Sequence, residues 1–336
     1  MNARMSHRTV LLLLAVISVA TLLIGPFVGG IPVSFDALLR PYGDDSSAVL
    51  LWRLRMPRIF TAFLAGAALS IAGAAFQALF RNPLATPFTL GVSGAASLGA
   101  ALYMRWGAET GTAGPGGILA SFAGAAACVG MVYAIAWGRG GVSNARLLLA
   151  GVAISFCCSS LIMFSHYAST ATDAFRMMRH LMGSLSASGW ETVAGLLPVT
   201  LLGGVLLWAL AWELDLLSVG EDIAQSRGVA VNRIRHVLFL ATCALEAVVV
   251  ALCGPIGFVG LMIPHCCRIW FGGGHRVLLP ASFLMGGSFL SACDTVSRTI
   301  VAPSEMPVGV LTSLIGGVFF LWLLLGASSS ESPLES

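Results

Sequence analysis

The sequence contains no lysine: all 18 basic residues among its 336 are arginine. Charge of either sign is scarce, at 10% of residues, against about 25% in an average soluble domain. There is no run of basic residues of the kind that binds nucleic acid. No GxxxxGK[ST], HExxH or GxSxG motif occurs, so the chain brings neither a phosphate-binding loop nor a recognisable hydrolase or metalloprotease centre. The histidines after the N-terminal one, His166, His180, His236, His265 and His275, lie on separate segments. No two cysteines stand in a CxxC. Cys157-Cys158 and Cys266-Cys267 are adjacent, and adjacent helical side chains diverge by about 100°, which disfavours a shared metal. These thiols read as small buried hydrophobes. Energy for any work must come from a partner or from an ion gradient.

What the sequence does have is apolar length. Hydrophobic residues make up 57% of the chain and its mean hydropathy is +0.90. A soluble fold would leave much of this exposed, whereas a bilayer accepts it, at roughly 20 residues per spanning helix. Ten apolar runs occur in order, at 10–28, 59–80, 88–105, 116–137, 147–167, 193–212, 237–254, 258–271, 277–296 and 307–325. This predicts an all-α, polytopic membrane protein with about ten transmembrane helices. The first run follows Arg4, His7 and Arg8 and is long enough to span, so it reads as a retained helix. A short amphipathic helix is expected at 173–183, within the polar segment 169–191. Residues 1–326 form one transmembrane domain in this reading, and 327–336 a polar, disordered tail.

Ten crossings put both termini on one side, taken as the cytoplasm. That orientation gives ten arginines inside and eight outside, a slender margin under the positive-inside rule. Three of the outside arginines, Arg53, Arg55 and Arg58, crowd into RLRMPR before the second helix. Something other than topology requires positive charge there. The 39 glycines, many at small-residue spacing, as across Gly66–Gly73 and Gly91–Gly99, indicate closely packed membrane helices.

The most polar internal stretch, 213–236, reads ELDLLSVGEDIAQSRGVAVNRIRH. Acidic residues open a short helical segment and a glycine closes it, which suits the helix dipole and a C-terminal cap. Such a knob is either a solvated loop or a docking element for a motor.

Seven segments resemble the FecCD-type permeases, the membrane subunits of type II ABC importers for ferric siderophores, haem and cobalamin. They are residues 53–96, RLLLAGVAIS (146–155), LMGSLSASGWE (181–191), LSVGEDIAQSRGV (217–229), GPIGFVGLMIPHCCR (254–268), HRVLLP (275–280) and 294–325, which contains SEMPVG. The resemblance runs through nearly the whole chain in order. It implies a type II permease fold working beside a second permease copy, identical or paralogous. It also implies two ATPase subunits carrying ATP and Mg2+, an extracytoplasmic binding protein, and no cofactor or metal in this chain. The location implied is the bacterial cytoplasmic (inner) membrane.

The same resemblance assigns residues. Gly220, Glu221, Ala224 and Gly228 fall in the stretch that couples to the ATPase. Arg55, Arg58 and Arg298 match the positions that pair with glutamates of the binding protein, where complementary charge speeds encounter and fixes orientation. The fifth helix is expected to line the pathway, and Ser155, Ser159, Ile162 and His166 fall on one face of it. Those serines could equally bond back to the preceding turn. Ferric siderophore is the first expectation for cargo, ahead of cobalamin and haem.

Two carboxylates lie within predicted spans. Asp294 belongs to the matched DTVSR segment and can pair with Arg298 four residues on. Glu246 belongs to no matched segment, and an intramembrane carboxylate invites a functional reading. If both were ion sites, the chain would be a gradient-driven secondary transporter. His265, beside Pro264, reads as a packing or gating residue.

Overall fold

The computed structural model describes residues 7–41, 43, 45–106, 115–138, 141–142, 144–186, 188–301 and 304–328; the tail 329–336 lies outside them. The fold is all-α. Ten helices form the bundle: α1 (His7–Ile24), α3 (Met56–Phe80), α4 (Val92–Trp106), α5 (Pro115–Ala136), α6 (Asn144–Tyr167), α8 (Trp190–Ala209), α11 (Val231–Cys253), α12 (Val259–Phe271), α13 (His275–Ile300) and α14 (Val308–Ser328). Four shorter helices lie at its ends: α2 (Ser46–Val49), α7 (Ala171–Leu181), α9 (Ala211–Val219) and α10 (Glu221–Ser226). Among the described residues, seven segments are long and apolar enough to cross a membrane, and Val259–Phe271 and Val308–Leu323 are shorter apolar helices. Strand pairing among the described residues is confined to Trp137–Gly138 against Gly141–Val142.

The expected positions of the ten helices hold, with two instructive differences. The second predicted helix begins at 59, because RLRMPR looks too charged to continue it. In fact α2, a π-helical turn (Leu50–Arg55) and α3 run on as one rod from Ser46 to Phe80. Burial of Arg55 and Arg58 against partners in the chain makes that continuation possible. The third predicted helix spans 88–105, but α4 has only 15 residues. The chain between α3 and α4 turns back into the bundle, where the Leu90 carbonyl accepts from Cys128 Sγ midway along α5. A second irregular stretch, Gly254–Phe258, links α11 to α12. Non-helical backbone at such depth is tolerated only where protein or a cavity surrounds it.

α3 is the hub, buried along nearly its whole length. It packs chiefly on α13, α11, α12 and α8. Where it crosses α12, a Cβ on Gly73 would collide with the Gly260 carbonyl, and Gly66 meets Gly286 of α13 in the same way. Without a hydrophobic force between helices in lipid, this close backbone approach supplies the packing energy.

The contacts define two ends. At one, Arg81 after α3 faces Glu221 of α10, and Trp208 of α8 donates to the Arg276 carbonyl of α13 (3.3 Å). At the other, Trp190 donates to the Trp52 carbonyl (2.9 Å) and Arg55 to the Pro26 carbonyl (3.0 Å). The start of α1 and the end of α14 share the α10 end. The amphipathic helix expected at 173–183 is α7. Thr170 caps it by accepting from the Asp173 backbone N–H, with the Thr170 hydroxyl on Asp173 Oδ2 (2.7 Å).

Candidate functional site

Three arginines separated by 243 residues of sequence meet at the end opposite α10. Arg55, Arg58 and Arg298 line one cavity of about 510 Å3 with Gly29, Ser186, Ser188 and Glu305. Of the RLRMPR arginines only Arg53 faces outward. The π turn carries Arg55 inward, where it donates to the Pro26 and Ile31 carbonyls and fixes the loop after α1. Arg58 donates through Nε to Asp294 Oδ1 (2.9 Å) and through Nη1 to Glu305 Oε2 (2.7 Å). Arg298 reaches Asp294 Oδ2 at 3.2 Å, the i, i+4 pair expected from sequence. Asp294 is 0% exposed and neutralises both arginines from beneath. Three guanidiniums against Asp294 and Glu305 leave one positive charge in excess.

All three arginines are thus mostly buried in this chain and held by internal partners. Sequence reasoning paired Asp294 with Arg298 but missed Arg58 and Glu305. The signal was the acidic residue of SEMPVG, which the turn before α14 brings back over α3.

The knob at the other end is α9–α10. Gly220 joins the two helices. Glu221 pairs with Arg235 (2.6 Å) and, more distantly, with Arg81 (3.9 Å). Ala224 is buried and anchors the helix, leaving Asp222, Ile223, Gln225, Ser226 and Arg227 on its outer side. Gly228, at φ +84°, closes α10 in a Schellman motif: its N–H donates to the Gln225 carbonyl and that of Val229 to Ala224. Glu221 and Ala224 therefore hold the knob in place, while Ile223 and its polar neighbours form the surface. A further tie went unread in sequence. Asp215 of α9 accepts from the His275 backbone N–H (2.8 Å) and from its ring Nδ1 (2.6 Å), capping α13 and fixing the knob to it.

The α6 strip is less uniform. Ser155 donates back to the Gly151 carbonyl (2.9 Å), the local alternative. Ser159 is exposed, while Ile162 and His166 are half-buried. Phe156, Met163 and Phe164 beside them are each about 70% exposed, so this helix turns an apolar face out of the chain. His265 lies edge-on to Phe319 of α14, a packing contact. Six of the eight cysteines are buried, and none is in a disulfide.

The sequence matches the FecCD transport family over residues 11–326. The chain belongs to the FecCD transport family. It is a membrane permease subunit of an ABC importer and has no ATPase site of its own. Among its relatives, the hemin transport system permease protein HmuU of Yersinia pestis is 37% identical, over 99% of this chain and 100% of that one. The cobalamin import system permease protein BtuC of Halobacterium salinarum is 38% identical, over 88% and 80%. A solved structure of a metal-chelate type ABC transporter, in an inward-facing conformation, superposes with a TM-score of 0.84 at 30% identity, covering 95% of this FecCD chain and 99% of that one.

Proposed function

We propose that this FecCD permease carries an iron chelate, a ferric siderophore or haem, inward across the bacterial cytoplasmic membrane, with cobalamin as the competing cargo. Its termini and α10 lie on the cytoplasmic side. It works as a homodimer or with a paralogous permease, beside two ATPase subunits that hold ATP and Mg2+, and it receives its cargo from an extracytoplasmic binding protein. The observation that carries this reading is the polarity of the molecule. An arginine-lined cavity with excess positive charge stands at one end, and a capped, protruding helix at the other. The first suits a binding protein's carboxylates and the second a groove on a motor. The haem and cobalamin permeases among its relatives support a metal-chelate cargo.

Uptake in a strain lacking this gene tests it, using labelled ferric siderophore, haem and cobalamin with and without ATP depletion. Selective, ATP-dependent loss of one iron chelate is expected. Loss of cobalamin alone would change the cargo, and ATP-independent uptake by this chain alone would overturn the mechanism.

Two residue-level outcomes follow from the same reading. Arg55→Gln removes the charge and leaves a polar side chain in its place. Docking of the binding protein is expected to weaken by about 1 kcal/mol, with a shallower salt dependence, because complementary charges act mainly on encounter. An unaltered salt slope in a binding titration would take Arg55 out of the docking surface. For α6, Ser159→Cys in a background with the native cysteines removed, the exposed Cys157 and the half-buried Cys266 included, is expected to react with a water-soluble thiol reagent, as a residue facing an aqueous pathway would. Persistent protection would mean that this face is packed against lipid or a second copy.

A further inference from the structure

Glu246 takes no part in the arginine-lined cavity or in the α10 knob. It lies on α11, outside the segments that carry the family resemblance, and is 2% exposed. Its Oε1 has no hydrogen-bond partner. One turn away on its own helix stand Thr242, Cys243, Val249 and Val250, and the Thr242 hydroxyl is already committed to the Leu238 and Phe239 carbonyls. A lone carboxylate in such surroundings is costly unless something compensates it.

The carboxylate lines a cavity of about 330 Å3 bounded by α3, α11, α12, α14 and both irregular segments. Among the described residues, no basic side chain lines it. Its polar groups besides Glu246 are the hydroxyls of Thr86, Thr89 and Ser313, and the two threonines are engaged with each other's turn. The remaining wall is largely hydrocarbon and includes the rings of Phe88 and Phe258. Phe258 is held at φ +68°, in the left-handed region that bulky residues rarely adopt. Phe88, Thr89 and Ser313 are exposed, so the cavity opens on the outside of the bundle.

A mainly apolar pocket with a few convergent polar groups is the usual form of a small-molecule site. One unpaired carboxylate selects a cation, and aromatic faces favour an organic one. A bare inorganic ion would need a shell of oxygens that three hydroxyls and one carboxylate, spread over separate segments, do not make. We propose that this cavity binds a lipophilic ammonium cation, with Glu246 as its counter-charge. Such a ligand would bridge the 82–91 and 254–258 segments and so stabilise the folded permease.

The test is thermal unfolding of the purified full-length permease in detergent micelles, titrated with 1-aminoadamantane and with its neutral isostere 1-adamantanol. A saturable rise in Tm is expected for the amine and a much smaller one for the alcohol. Glu246→Gln should shift the amine's half-saturation upward by about tenfold or more. Ser313→Phe, at an exposed position at the mouth, should abolish the response without depending on how Glu246→Gln folds. Equal shifts for amine and alcohol, or a Ser313→Phe protein that responds like the parent, would overturn the proposal. A Glu246-dependent shift produced by sodium chloride but not by caesium chloride at equal ionic strength would overturn it in favour of an inorganic ion.

Discussion

Asp294→Ala is expected to remove most folded permease from the membrane. Asp294 is fully enclosed and compensates Arg58 and Arg298, both more than nine-tenths buried. Deleting it leaves two guanidiniums in the bundle with Glu305 as their remaining carboxylate, besides backbone carbonyls and the Thr295 hydroxyl. Removing one partner from a buried ion pair costs about 3–5 kcal/mol, a large share of the 5–15 kcal/mol that holds a typical domain together. Asp294→Asn keeps the shape and some hydrogen bonding, so its loss should be smaller. The triple variant Arg58→Met, Asp294→Leu, Arg298→Met should recover folded protein, since apolar replacement of a whole buried charge cluster is often neutral or stabilising. It should still fail in uptake, having lost two of the three arginines of the cavity. Yield and melting temperature after extraction, read beside chelate uptake, separate these effects. Asp294→Ala protein with the parent's Tm would mean that the cluster contributes nothing to stability.

Gly228→Pro is expected to leave a folded, inserted permease that no longer transports. Proline fixes φ near −65° and has no N–H. Position 228 sits at φ +84° and donates to the Gln225 carbonyl, so the Schellman closure of α10 cannot form. The bundle should survive, because the knob lies at its end and Gly228 has open space around it. Uptake should fall to background and stimulation of the partner ATPase by loaded binding protein should vanish, while the partner's basal hydrolysis persists. Gly228→Ala keeps the N–H and bears only the left-handed penalty, about 1–2 kcal/mol, so intermediate transport is expected. Wild-type uptake by Gly228→Pro would remove α10 from the coupling path.

The contrast between Arg58 and Glu246 marks how far the sequence could be read. Both are charged residues in long apolar stretches. For Arg58, crowding within RLRMPR announced a role, but the residues that hold it, Asp294 and Glu305, lie 236 and 247 positions away, and no local pattern links them. Glu246 stands out in the sequence as an oddity without a partner, and its surroundings come from six separate segments of chain. The knob was more legible, because its acidic start, short helix and closing glycine are local features with local causes. Even there, which of Glu221, Ala224 and Ile223 faces outward depended on Arg235 and Arg81.

By itself the sequence determined that this is a membrane protein of about ten helices, that it lacks a motor of its own, and that an amphipathic helix and a glycine-closed knob lie within the polar segments 169–191 and 213–236. Run length, mean hydropathy and capping residues act over a few turns, so they can be read in order along the chain. Only the tertiary structure decided that α3 continues through its arginines, that the 82–91 segment re-enters the bundle and shortens α4, and that three distant arginines share one cavity. Those outcomes depend on burying a charge or a bare carbonyl beside a particular partner, and such a partner is found only once the helices are packed.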